Sequence, residues 1–266
     1  MKADGESAEL DAEITRIQAL IQSPQMRELR ERNIREHRMI RPRNAATLVV
    51  VDGERGNERV LMGRRNRALK FMPGALVFPG GAVDPLDMRV PTADDIDPAT
   101  ARRIEAAYRG RPGAGSARAL AVASVRELAE ETGILVGARN AEPVRHSKSA
   151  IHAFETERAL PAISPLRLLA RAITPPGPPR RFDTWFFVVR SDAIAHRPEN
   201  GVRSSGELEE LRWLRPTDAI RSDTREITRV ILVELMHRLS VDPKLSSVFP
   251  APCYRSRRGV FTRTMI

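Results

Sequence analysis

Residues 126 to 134 read Arg-Glu-Leu-Ala-Glu-Glu-Thr-Gly-Ile and close a stretch, Ala117 to Thr132, that holds strong helix formers and no proline or glycine. Ser116 offers an N-cap and Gly133 a C-cap, so the pattern predicts a helix over 117–132. On that helix Glu127, Glu130 and Glu131 stand at i, i+3 and i+4, and their carboxylates share one face. Like charges so placed repel, and a divalent cation would relieve the conflict. Hard carboxylate oxygens suit Mg²⁺ or Mn²⁺. Arg126 lies four residues before Glu130, close enough to pair with it and orient it. Taken alone, the triplet reads more readily as a solvated acidic surface with ordinary salt bridges than as a metal site.

The upstream context changes that balance. Ala45 to Asp52 (AATLVVVD) reads as a buried strand, Gly53 to Asn57 as a turn and Arg59 to Arg64 as its hairpin partner. Ala75 to Phe78 is a short strand running into Pro79-Gly80-Gly81. Residues 85–116, rich in Pro, Asp, Gly and Ala, read as an outward excursion, with a helix inside it over Pro98 to Tyr108. Further on, Ser149 to Leu160 reads as a helix, Pro175 to Pro179 as a rigid bend, Phe182 to Arg190 and Glu207 to Leu214 as strands, and Thr224 to Leu239 as an amphipathic helix. Strands precede, interrupt and follow helices without regular alternation, which predicts an α/β/α sandwich on a mixed sheet rather than a doubly wound parallel one.

Three regions follow. Residues 1–41 are a helical extension in which Leu10, Ile14, Ile17, Leu20 and Ile21 share an apolar face and Ser23-Pro24 breaks the helix. It reads as an added arm or an oligomer contact, and a homodimer is compatible with it. Residues 42–242 are the main domain, with an insertion at about 88–116. Residues 243–266 are a basic tail, which Pro250 and Pro252 predict to be irregular.

With Gly81 and Asp87 upstream of Arg126 to Ile134, the chain resembles the Nudix family, whose box runs G-x5-E-x7-R-E-U-x-E-E-x-G-U, U being aliphatic. Arg126 to Ile134 matches the second half in full. Gly81 stands at the box glycine and Asp87 where the family has Glu. Between Asp87 and Arg126 lie 38 residues (88 to 125) where the box has 7. A loop closing on itself costs little more when lengthened. The split box, Phe71 to Phe78, and the run Ile173-Thr174-Pro175 with Arg180 to Phe187 are similar to the branch that includes the peroxisomal coenzyme A diphosphatases of animals.

The resemblance implies a Nudix-type fold and a metal-dependent hydrolase of a diphosphate linkage in a small nucleoside diphosphate derivative. Coenzyme A or acyl-CoA, giving 3′,5′-ADP and (acyl)phosphopantetheine, is the first expectation. ADP-ribose or NADH hydrolysis, or a non-catalytic nucleotide-sensing module, are alternatives. It implies that Glu127, Glu130 and Glu131, with the Gly81 carbonyl, hold Mg²⁺ or Mn²⁺, that Glu127 is the base, and that Arg126 and Glu130 belong to the catalytic set. Gly80, Arg64, Arg65, Arg181 and the late acid Glu207, six residues before Trp213, are expected to meet substrate.

Composition bounds the rest. A formal charge of +10, from 44 basic and 34 acidic residues, fits an anionic partner. The basic residues are scattered and aromatics are 5%, so nucleic acid is not expected. No run of about 18 apolar residues predicts a membrane span. The acidic, polar start and the single Cys253 fit a reducing cytoplasm, and Cys253 is a poor nucleophile. His37, His146, His152, His196 and His237 show no close ligand spacing.

Overall fold

A computed structural model of the chain describes residues 2–36, 40–69, 72–108, 116–139, 149–178, 180–199, 206–257 and 260–266. Phe71, Pro179, His37, His146 and residues 109–115 of the insertion lie outside the described residues.

The elements run α1 (Lys2–Ile21), α2 (Pro24–Glu36), β1 (Arg43–Asp52), β2 (Arg59–Arg65), β3 (Leu76–Val77), β4 (Gly80–Ala82), α3 (Pro98–Ala107), α4 (Ala117–Thr132), β5 (Leu135–Arg139), α5 (Ser149–Thr156), β6 (Ala159–Pro161), β7 (Arg167–Ile173), β8 (Phe182–Arg190), β9 (Ile194–His196), β10 (Leu208–Leu214), α6 (Pro216–Arg221), α7 (Glu226–Val241), β11 (Pro252–Arg257) and β12 (Val260–Met265). The central sheet has the order β10-β2-β1-β8-β7-β11-β12, with β3 on β2 and β4 on β1. It is mixed: β1 runs parallel to β8, and β7 to β11, while the other pairs are antiparallel. A small sheet, β6-β5-β9, flanks it.

The apolar run of β1 follows from burial on both faces. Ala46, Leu48 and Val50 enter one core with α4, while Val49 and Val51 enter a second core with α7. β8 does the same, with Trp185, Phe187 and Val189 on the first side and Phe186 and Val188 on the second. The result is the α/β/α arrangement expected from the pattern.

Four expectations need correcting. The insertion is no outward loop: Val90, Ile96 and Ile104 are buried in the α4-side core. Polar contacts sew it down as well. Asp97 caps α3 by accepting from Thr100 N, Arg118 donates to Val90 O at 3.0 Å, and Arg171 donates to Ala107 O at 2.8 Å. The helix expected over 149–160 ends at Thr156, and Ala159–Pro161 is strand. Leu10, Ile14, Ile17 and Ile21 of α1 are buried against α7, but Leu20 is turned outward and 48% exposed. The arm's apolar face is thus covered within the chain.

Finally, the tail is not irregular. β11 and β12 form a hairpin that joins the sheet through β7, with Cys253 buried in it. Pro252 is tolerated because it opens its strand. Tyr254 and Phe261 stack at 5.8 Å, the Tyr254 hydroxyl donates to Glu234 of α7, and Arg263 donates to both Glu234 oxygens at 2.8 and 3.2 Å. Among the described residues no helix is long and apolar enough to cross a membrane.

Candidate active site

The site is built where α4 crosses β4. Ser116 caps the helix by accepting from Ala119 N at 3.2 Å. Gly133 ends it at φ +74°, donating its N–H to Ala129 O at 2.9 Å. That left-handed exit suits glycine.

β4 lies antiparallel to β1, with Gly80 opposite Thr47 and Gly81 opposite Ala46. Both glycines are required by close approach. A Cβ on Gly81 would sit 2.4 Å from Glu127 Oε2, and one on Gly80 would sit 2.5 Å from Thr47 Oγ1 and 2.7 Å from Ala46 O. Such distances are clashes, so only glycine lets the helix carboxylate lie against this strand.

Arg126 organises the cluster. Its Nε donates to Asp87 Oδ1 at 2.7 Å and its Nη2 to Asp87 Oδ2 at 3.1 Å and Ala82 O at 3.0 Å. Its Nη1 donates to Glu127 Oε1 and Glu130 Oε2, both at 2.9 Å. All the guanidinium's N–H donors are therefore committed. Burial pulls the Arg126 pKa down, but the hydrogen bonds it donates to Asp87 and the charges of Glu127, Asp87 and Glu130 outweigh it, and the net shift is upward. Arg126 touches the acids rather than open space.

Asp87 is fully buried. It sits in a short 3-10 turn, Pro85–Arg89, whose capping box pairs Asp84 N with Asp87 Oδ2 at 2.8 Å. The turn brings the shorter carboxylate to Arg126, so the two halves of the interrupted box meet in space. Sequence reading noted Asp87 only as a departure. Its signal was its place, six residues after Gly81.

Glu131 is buried, and its Oε2 accepts from Gly80 N at 2.9 Å. Burial pushes its carboxyl up to about 8; the Gly80 hydrogen bond and the Arg65 charge pull down, while the Glu127 and Glu207 charges push up. Burial likewise pushes Glu127 up to about 7, opposed by Arg126 and reinforced by Glu130. Glu130 is the outermost of the three, with its side chain 36% exposed and turned onto Arg126.

The structure brings Glu127, Glu131, Gly80, Gly81, Arg126 and Glu130 together, with Arg65 and Glu207 close enough to act on Glu131 electrostatically. Two expected substrate contacts are elsewhere. Arg64 donates to Gly74 O at 2.7 Å and pairs with Glu210 at 3.3 Å. Arg181 donates to Thr174 O at 3.0 and 3.1 Å and to Ile40 O at 2.6 Å, joining the chain before β1 to the segment before β8.

The donor set fits a hard cation of a particular kind. Among the described residues no three His, Cys, Asp or Glu side chains converge as a ready-made cage. Glu127 and Glu131 do present carboxylate oxygens beside a glycine turn, and burial is the main cause that pushes both carboxyls up. Mg²⁺ and Mn²⁺ take one or two carboxylates and leave the remaining positions to water and phosphate oxygens.

Comparison with known proteins agrees with this geometry. No protein-family model matches the chain. The Caenorhabditis elegans protein named nudix hydrolase 7 is 27% identical over 188 residues, 67% of this chain and 53% of that protein. The chain thus spans about half the length of the curated relative it matches. The crystal structure of a Nudix hydrolase from Alicyclobacillus acidocaldarius is similar at 27% identity and a TM-score of 0.56, covering 79% of this chain and 98% of that one. In sequence and in fold the chain is therefore similar to Nudix hydrolases.

Proposed function

We propose that this protein is a divalent-cation-dependent pyrophosphohydrolase that cleaves the diphosphate linkage of a nucleoside diphosphate derivative. The observation that carries the reading is the pair of buried carboxylates, Glu127 and Glu131, laid against Gly80 and Gly81 and braced by Arg126. Glu127 and Glu131 would hold Mg²⁺ or Mn²⁺, with Glu130 and the Gly81 carbonyl as further oxygen donors. A cation there neutralises charge on phosphate oxygens and lowers the pKa of bound water.

The chain's own groups account for the rest. Glu127, lying against the glycine turn, is the group we assign as acceptor of the water's proton. The water oxygen bonds to one phosphorus, the bridging P–O bond breaks, the proton goes to Glu127, and the second phosphate leaves as an oxyanion. Arg126 holds Glu127 and Glu130 in place, and Arg65 is the cation best sited to meet a diphosphate.

Within that class we favour coenzyme A or acyl-CoA, cleaved to 3′,5′-ADP and (acyl)phosphopantetheine. The support is the interrupted box and its flanking runs, whose insertion is packed into the core beside α4. A cytoplasmic location fits the composition. The test is turnover of CoA, acyl-CoA, ADP-ribose, NADH and nucleoside triphosphates with Mg²⁺ or Mn²⁺, with product identification. CoA cleavage between the two phosphates is expected. Turnover of ADP-ribose or NADH alone would overturn the substrate, and no turnover of any diphosphate would overturn the reaction.

A further inference from the structure

The two edges of the central sheet are finished differently. The outer strand at one end, β10, carries Glu209, Glu210 and Arg212 and breaks register between Glu209 and Arg212. Charges and an irregular register of this kind stop an edge from pairing further. The strand at the other end, β12, keeps register with β11 from Val260 to Met265 without a shift. It carries no proline, and its one charge, Arg263, is turned onto Glu234. Val260, Arg263, Thr264 and Met265 are exposed, so this edge is open to solvent.

The backbone of β12 is oriented to accept a further strand. Ala251 and Ile266 exchange both of their backbone hydrogen bonds, at 3.0 and 2.9 Å. In an antiparallel pair, bonded and non-bonded positions alternate. Cys253 with Thr264 and Arg255 with Thr262 are thus bonded pairs, and the N–H and C=O groups of Phe261, Arg263 and Met265 point away from β11. Gln22, just past α1, donates its Nε2 to the Phe261 carbonyl at 3.1 Å, which agrees with that direction and closes the free run at that end. At the other end, Met265 and Ile266 meet Arg102, Arg103 and Ala106 of α3 around a groove of about 550 Å³. Neither arginine has a hydrogen bond or ion pair with another described residue.

We propose that β12 and the groove beside it are a docking site for an extended, acidic segment of another protein, which adds to the sheet as a strand. Backbone bonds to Arg263 and Met265 supply affinity, and a carboxylate reaching Arg102 or Arg103 sets the direction. A second copy of this chain fits poorly. Antiparallel pairing of two β12 strands about Arg263 sets that residue opposite itself, and like charges directly opposite repel. It also carries the hairpin end that holds Arg257 and Val260 toward the Arg102 and Arg103 groove of the other copy. The chain's charge of +10 works in the same sense, against self-association and for an acidic partner.

The test uses the full chain and a fluorescein-labelled octapeptide of alternating glutamate and valine, with a lysine–valine octapeptide as control. Fluorescence anisotropy is expected to show saturable binding of the acidic peptide and none of the basic one. Arg102→Glu combined with Arg103→Glu is expected to weaken it by about tenfold, the scale of two exposed ion pairs. Met265→Pro removes an outward N–H and no bond to β11, so it should fold as the wild type does and lose binding, whereas Met265→Ala should keep it. If Met265→Pro lowers the thermal midpoint, amide exchange in the wild type decides: the Phe261, Arg263 and Met265 N–H groups should exchange more slowly in the complex. No saturable binding, equal binding of the two peptides, or binding that leaves those three amides unprotected would overturn the proposal. A wild-type dimer in sedimentation velocity that becomes a monomer in Met265→Pro would assign the edge to a second copy and overturn it as well.

Discussion

Two charged clusters are buried on opposite faces of the central sheet, and they are built to different rules. On the α7 face, Glu234 is met by the Arg263 guanidinium and the Tyr254 hydroxyl, so one acid has one cation and one neutral donor. On the α4 face one guanidinium, that of Arg126, bonds Asp87, Glu127 and Glu130, and Glu131 accepts from the Gly80 N–H. The first cluster is balanced and holds a hairpin to a helix. The second sets one bonded arginine against several acids, and burial pushes two of its carboxyls up to about 7 and 8. Uncompensated buried charge costs stability, so the second arrangement makes physical sense as a place where a cation is taken up.

The comparison is broken most forcefully by neutralising one acid on each side. Glu127→Gln should lower kcat by about 10²–10⁴-fold, the usual reach of a positioned proton acceptor, while its urea midpoint stays at or above that of the wild type. An unchanged kcat would remove Glu127 from the chemistry. Glu234→Ala should do the reverse. Breaking a buried pair costs about 3–5 kcal/mol; with the Arg263 side chain 31% exposed, solvent reduces this to about 2–3 kcal/mol. Chemical denaturation should register that loss, while kcat of the folded fraction stays unchanged.

These raised carboxyls also set a pH dependence. Glu127 and Glu131 have folded values near 7 and 8, above the ordinary value of 4.5. The folded state therefore keeps their protons longer than the unfolded state does. The stability they contribute is complete below about pH 4.5 and is lost as pH rises through 7 and 8. Mg²⁺ should restore it at pH 8, by about 2.7 kcal/mol at a hundredfold excess over its Kd, and do little at pH 5. Thermal midpoints over that range, with and without Mg²⁺, measure both limbs, and a Mg²⁺ effect independent of pH would contradict the assignment.

The smallest effect separates the arginines. Arg65→Ala should raise KM by about tenfold, as loss of a charge-assisted contact to phosphate does. Arg181→Ala, whose donors are held by Thr174 and Ile40 carbonyls, should change KM by less than about twofold. Steady-state kinetics on one substrate decides between them.

The site was legible in the sequence where local spacing determines geometry. Helical periodicity alone puts Glu127, Glu130 and Glu131 together, and the caps Ser116 and Gly133 followed from residue type. What depended on distant partners was not legible. Residues 85–116 read as an outward excursion because they are rich in Pro, Asp, Gly and Ala, yet Val90, Ile96 and Ile104 supply enough apolar surface to pack them down. The strand β7 and the hairpin β11–β12 were missed because their stability comes from neighbours far along the chain, as with Cys253 beside Arg171. Arginine roles were the least legible. Arg64, Arg65 and Arg181 look alike in sequence, and only the surrounding carbonyls and acids distinguish them.

A crystal grown with Mn²⁺ and measured for anomalous scattering tests the cation-binding site directly. An anomalous peak between the Glu127 and Glu131 carboxylates, within coordination distance of the Gly80–Gly81 turn, is the expected result. A saturated crystal with no peak there, or with its peak elsewhere in the molecule, would contradict it.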